Sequence, residues 1–205
     1  MIEIHGKYST AKVYTDTLEP SAEGQIQAIC DQPFAQGSRI RIMPDVHAGK
    51  GCAIGTTMTV TDKVVPNMVG VDIGCGMLTV KLKEKRLNLP SLDSFIHQNI
   101  PCGRAVRKRP HRSHGRIDAT ALRCAKKLDM RRTIESLGTL GGGNHFIEVD
   151  RDEENFYLII HTGSRNPGLR VAEYYQERAY QSLGGKAQAE VPYELAYLTG
   201  QELQD

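Results

Sequence analysis

Long apolar runs are what this sequence most plainly lacks. Its 205 residues contain no stretch approaching the roughly 20 consecutive apolar positions of a membrane helix. The N-terminal MIEIHGKYST carries an acid and no apolar h-region, so it does not read as a secretory signal. Disulfide patterning is missing too. The 5 cysteines are odd in number and scattered at Cys30, Cys52, Cys75, Cys102 and Cys124, which suits a reducing cytoplasm better than an extracellular scaffold. Neither sign of charge is in excess, and a net of +2 is too small to name a polyanionic partner by itself. There is no internal repeat and no low-complexity linker. With 40% apolar and 24% charged residues, a disordered or fibrous chain is excluded. What the sequence does have is glycine, 20 in all, most of it packed into a few short clusters.

Residues 1–18 read as short strands around a turn. The polar stretch 16–21 supplies helix-start chemistry for a short helix over 22–30 with Ile26 and Ile29 inward, stopped by Asp31-Gln32-Pro33. Residues 39–43 alternate at period two and read as a half-buried strand ending at Pro44. Strands follow over 52–60 and 77–82, then a helix over 92–100 that stops at Pro101. Residues 104–116 hold six arginines and lysines, two histidines and no acid. Asp118 can cap a helix over 119–132. Residues 136–144 form a glycine-rich loop, 145–149 a strand, 150–155 an acidic turn, and 156–160 a strongly apolar strand running into His161. A helix over 171–183 ends at Gly184-Gly185, and the tail from 187 is helix-prone. Strands outnumber helices and many are adjacent in sequence, so the expected class is α+β, with mixed β-sheets flanked by helices.

Four polar clusters sit at the mouths of strands. In MPDVHAGKG, Asp45, His47 and Lys50 lie in a loop made pliable by glycine, which can bring backbone N–H groups against an anion. An ordinary polar turn is the plainer account. In VGVDIGCGM, Asp72 and Cys75 are three apart in a tight turn and can reach one metal ion or two adjacent ones. Buried cysteines and turn-capping aspartates are common, but packing alone does not call for so many glycines. In LGGGNHFIE, three consecutive glycines cost backbone entropy, which implies a close approach to that backbone. Strand alternation there puts His145, Ile147 and Val149 on one face and Asn144, Phe146 and Glu148 on the other, one suited to a metal and the other to a nucleotide. A core histidine satisfied by a carbonyl is the competing account. In HTGSRNPG, His161 closes an apolar strand, and Ser164 and Arg165 precede a helix start that favours a phosphate. The competing account is a plain strand-to-helix turn, and the G-x-S-x-G pattern of a serine nucleophile is absent. Taken together, Asp72, Cys75, His145 and His161 offer mixed S, N and O donors suited to Mn²⁺ or Zn²⁺. A bridging thiolate would let two ions clamp a phosphoryl group.

MPDVHAGKG, VGVDIGCGM, LGTLGGGNHFIEV and HTGSRNPG, in this order, resemble the RtcB RNA ligases over residues 39–168. The resemblance implies that residues 1–205 are the N-terminal part of a single RtcB-like catalytic domain, a cytoplasmic enzyme that joins RNA ends bearing a 3′-phosphate or 2′,3′-cyclic phosphate to 5′-hydroxyl ends in tRNA splicing and RNA repair. It implies GTP and two Mn²⁺ ions as cofactors, and passage through a guanylylated histidine. Matched motif to motif, Asp72, Cys75, His145 and His161 fall on metal ligands, with Cys75 touching both ions. Asn144, Phe146 and Glu148 fall on the stretch that contacts the guanine nucleotide, and Asp45 on an acidic active-site residue. The basic run 104–116 suits an RNA backbone, or else is a solvated loop; it has no aromatic residue for base stacking.

The family chain is considerably longer, and its guanylylated histidine lies in the C-terminal half. No histidine follows His161 here, so no nucleophile is assigned, and these residues alone are expected to be inactive in ligation. Three explanations stand at this point: a fragment of a longer ligase, a natural short homologue that keeps a metal site but not ligation, or a chain that pairs with a second one carrying the C-terminal half. Two other functions compete: a metal-dependent phosphohydrolase acting on cyclic-phosphate RNA ends, and a non-catalytic RNA-binding or partner-binding remnant.

Overall fold

The computed structural model describes residues 1–70, 73–163 and 165–204. They form an α+β fold in two compact units, one comprising residues 1–70 and 173–205, the other residues 71–172.

The first unit opens with a hairpin of β1 (Ile2–His5) and β2 (Thr10–Val13), which pair antiparallel. Helix α1 (Pro20–Cys30) begins with proline in its first turn, where the missing N–H is an orphan anyway. β3 (Ile40–His47) pairs parallel to β2 and antiparallel to β4 (Ile54–Met58), which gives a sheet of order β1-β2-β3-β4. Ala11, Val13, Ile40 and Ile42 alternate with exposed or half-exposed neighbours, and pack in one fully buried cluster with Ile26, Ile29 and Cys30 of α1. The expected strand end at Pro44 is overrun. A register shift between Ile42 and His47 lets β3 continue, since a bulge accepts a residue that cannot donate to the ladder. β5 (Lys63–Val64) and the short α2 (Pro66–Val69) close this part of the chain.

The second unit is built on an antiparallel sheet of β6 (Gly76–Lys81), β7 (Phe146–Arg151) and β8 (Phe156–Thr162), with β8 in the middle. β6, an outer strand of this sheet, is exposed at every position, including Met77 and Leu78. Between β6 and β7 lie α3 (Leu89–Asn99), capped by the Asn88 carboxamide accepting from Ser91 N–H, and α4 (Met130–Ser136). The helix expected over 119–132 does not form. Asp118 caps only a single 3₁₀ turn, and the chain takes a second such turn before the Asp129 carboxylate, accepting from Arg132 N–H, starts α4. Buried Cys124 and Leu128 anchor this irregular stretch.

α5 (Arg165–Ser182) starts earlier than expected because Pro167 is tolerated in a first turn. It leads through α6 (Gly184–Glu190) to β9 (Leu198–Thr199), which pairs with β5. Among the described residues no helix is long and apolar enough to cross a membrane.

The acidic turn joining β7 to β8 is held by one carboxylate. Asp152 accepts from the Tyr157 hydroxyl at 2.7 Å and from the N–H groups of Glu154 and Asn155 at 2.8 and 2.6 Å. The Tyr157 bond, followed by the two N–H groups, lowers its pKa from the ordinary 3.8 to about 2, and Asp152 in turn raises that of Tyr157. A lowered folded-state pKa means that this stabilisation is complete above the unfolded value of 3.8 and is lost as pH falls through about 2. The Asp152 carboxyl resonance is therefore expected to titrate near pH 2, with the turn amides loosening in the same window. A midpoint at the ordinary carboxylate value would contradict this.

Candidate metal centre

Sheet register decides where the polar residues meet. β8 is central and both neighbours run against it, so both begin where β8 ends. Gly76 pairs with Thr162 and Met77 with His161 on one side, and Phe146 pairs with His161 on the other. Cys75 stands one residue before β6 and His145 one residue before β7. Residues far apart in sequence thus converge at one corner of the sheet. The ligand atoms of Cys75, His145 and His161 all lie within 4.8 Å of one another, and the three residues are half-buried. Cys75 Sγ is 3.3 Å from His145 Nε2.

The surrounding backbone orients both imidazoles. His145 Nδ1 is 2.8 Å from the Leu140 carbonyl oxygen, and His161 Nδ1 is 3.1 Å from that of Asn144. A carbonyl oxygen only accepts, so each Nδ1 carries the proton and each Nε2 bears the lone pair, that of His145 turned toward Cys75 Sγ. The Leu140 oxygen also accepts from the Thr162 hydroxyl at 2.8 Å, which ties the end of β8 to the glycine loop. Such outer partners set the tautomer and ring orientation of metal-binding histidines.

Two glycines let the backbone come this close. Gly141 has φ +78°, and a Cβ there would lie 2.8 Å from His145 Nδ1. At Gly163 a Cβ would overlap Cys75 Sγ and lie 2.6 Å from the Cys75 Cα. Thr162, Gly163 and the Leu140 carbonyl escape a sequence reading aimed at side chains that bind metals or substrates. The one available signal was the glycine in the strand-to-helix motif.

The remaining expected residues are placed as follows. Asp72 and Ser164 lie outside the described residues. Asn144 is exposed and reaches the site through its carbonyl oxygen. Phe146 meets the His161 ring edge-on, with centroids 5.4 Å apart, and the His145 ring meets His161 similarly at 5.3 Å. The expected division of His145 and Phe146 between two faces therefore does not hold at this point, because alternation begins only at Phe146 and His145 turns from the preceding loop. Glu148 is exposed within β7.

Asp45 belongs to the first unit, exposed near the end of β3, where its carbonyl oxygen accepts from His47 Nδ1 at 2.9 Å. That loop is pinned to α1 by Gln25, whose amide nitrogen donates to Gly49 O at 2.8 Å while its oxygen accepts from Gly49 N–H at 3.1 Å. The other buried cysteines behave as small apolar residues: desolvation pushes the Cys30 and Cys52 thiols up.

One thiol and two imidazoles, with ligand atoms within 4.8 Å of one another, suit a first-row divalent ion.

The family model described as tRNA-splicing ligase RtcB matches residues 25–125 and 104–204. The RNA-splicing ligase RtcB of Escherichia coli strain K12 is 32% identical over 202 residues, covering 88% of this chain and 49% of that protein. The tRNA-splicing ligase RtcB of Methanococcus maripaludis is 28% identical over 234 residues, covering 87% and 48%. That of Aeropyrum pernix is 28% identical over 221 residues, covering 74% and 44%. The chain spans about half the length of the curated relatives it matches.

Proposed function

Because the chain belongs to the RtcB family, we propose that it carries the metal-binding portion of a GTP- and Mn²⁺-dependent RNA ligase. The reaction joins a 3′-phosphate or 2′,3′-cyclic phosphate end to a 5′-hydroxyl end, in the cytoplasm. The convergence of Cys75, His145 and His161 at the end of the central strand carries this reading.

The donor set fits a divalent ion on its own chemistry: a soft sulfur and two imidazoles whose tautomers are fixed by backbone carbonyls. In this reading Asp72 would join Cys75, His145 and His161 in holding the metal. The metal, when bound, would supply positive charge beside the phosphate oxygens. The protein groups do the positioning. Leu140 O and Asn144 O keep both Nδ1 protons in place, and Thr162 holds the Leu140 carbonyl. Asn144, Phe146 and Glu148 receive the guanine nucleotide, and Asp45 acts as an acidic residue of the reaction. The family's nucleophilic histidine has no counterpart among these 205 residues. They are expected to bind metal without joining RNA.

The test is a chimera in which this chain replaces the aligned half of the Escherichia coli relative. With Mn²⁺ and GTP it is expected to become guanylylated and to join a 3′-phosphate RNA to a 5′-hydroxyl RNA. A chimera that binds Mn²⁺ yet neither takes label from GTP nor ligates would refute the reading.

A second reading, a phosphohydrolase of cyclic-phosphate RNA ends, is favoured by the same meeting of Cys75, His145 and His161, since a divalent ion held there would activate water without a nucleophilic histidine. It expects this chain alone to open a 2′,3′-cyclic end, with the activity lost in Cys75→Ala.

A further inference from the structure

The chain's small net charge hides a strong separation. Of its 26 lysines and arginines, eleven fall in residues 104–132, together with only two of its 24 acids. This stretch is therefore +9 and the rest of the chain −7. Arg104, Lys108, Arg109, Arg112 and Arg116 are all exposed, and none has an acidic partner within 4.0 Å among the described residues. Crowding so many like charges without counter-charges works against folding, and a polyanion would relieve it.

The stretch is also fastened to the metal centre. Gly103 N–H donates to Gly141 O at 2.6 Å and Leu140 N–H to Pro101 O at 2.9 Å. Arg107 Nε donates to Gly138 O at 3.0 Å, and the Arg107 N–H to Glu135 O at 3.0 Å. Arg132 reaches back to Arg104 O at 3.2 Å. Residues 138–141 are the loop whose Leu140 carbonyl orients His145. Two arginines are thus spent on bracing, and the remaining cations are displayed on a frame bonded to the loop that sets a metal ligand.

We infer that residues 104–132 are an electrostatic track for the sugar–phosphate backbone of single-stranded RNA, leading to the centre formed by Cys75, His145 and His161. The inference rests on the RNA-ligase reading and adds to it the surface that holds the strand. Guanidinium forks match phosphate oxygens. The stretch contains no Phe, Tyr or Trp, so it has no platform for base stacking, and recognition falls on the backbone.

The test measures binding of this chain to a fluorescein-labelled single-stranded RNA of about 20 nucleotides between about 50 and 200 mM KCl. Neutralising Lys108, Arg109, Arg112 and Arg116 together to glutamine is expected to weaken binding at least about tenfold and to reduce the slope of log K against log salt by about 3, at roughly 0.7 per phosphate contact. Replacing Arg109, Arg112 and Arg116 by lysine keeps the charge and is expected to keep most of the slope. Mn²⁺ binding by the glutamine variant reports that the second unit is folded. RNA affinity is expected to persist with EDTA in the buffer, which separates the track from the metal reading. An unchanged salt slope in the folded glutamine variant, or equal losses in the lysine and glutamine variants, would overturn the proposal. So would equal binding of a polyaspartate peptide of matched charge, which would assign the surface to an acidic protein.

Discussion

Replacing Cys75 by alanine is expected to lower the affinity of this chain for Mn²⁺ or Zn²⁺ by at least about 100-fold, since even an outer partner of a metal ligand is worth roughly 10–100-fold. Cys75 brings the sulfur of the three-residue cluster, and its Sγ lies 3.3 Å from His145 Nε2. Without it two imidazoles remain, too few among the described residues to enclose an ion. The fold should lose far less than the site, because Cys75 is half-buried and stands just outside β6, where the change removes a single sulfur atom. Calorimetric titration with the metal, set beside urea unfolding, separates the two effects. His145→Ala should show the same loss of affinity, whereas His111→Ala, outside the cluster, should show none. Wild-type affinity in Cys75→Ala would mean that the three residues meet for structural reasons alone.

Much of this centre could be read from residue types, and what could not has a physical cause. Cys75, His145 and His161 stood out because each borders a strand or a glycine loop, and β8 was legible because five apolar residues run straight into His161. The pairing that brings them together was not legible. β7 and β8 are hairpin neighbours, but whether β6 takes the other side of β8 depends on contacts between segments about 80 residues apart, such as Lys81 with Tyr157 and Gly76 with Thr162. The tautomer-setting groups were hidden for another reason: the acceptors at Leu140 and Asn144 are backbone carbonyls, which any residue carries. The helix expected over 119–132 failed because a capping aspartate at 118 says where a helix can start, not that an apolar stripe follows to sustain it. The strands β5 and β9, two residues each, are too short for any periodicity to show.

Gly163→Ala should be the most damaging single-methyl change at the site. The added Cβ would overlap Cys75 Sγ and sit 2.6 Å from the Cys75 Cα and 2.9 Å from its N. Two of those three atoms are backbone, so no side chain can swing aside to make room. Relief requires the turn at Cys75 to move away from the end of β8, which opens the pairing of Gly76 with Thr162 and carries the sulfur away from His145 Nε2. Overpacking of this kind costs about 1–3 kcal/mol. Because the displaced residue is itself a ligand, metal affinity should fall along with stability, unlike in Cys75→Ala. Gly76→Ala is the control. It is the residue next to Cys75, yet a Cβ there meets nothing within 4 Å, so neither stability nor metal binding should change appreciably. If the two alanine variants behaved alike in unfolding and in metal titration, close contact between residues 75 and 163 could not be what places the sulfur.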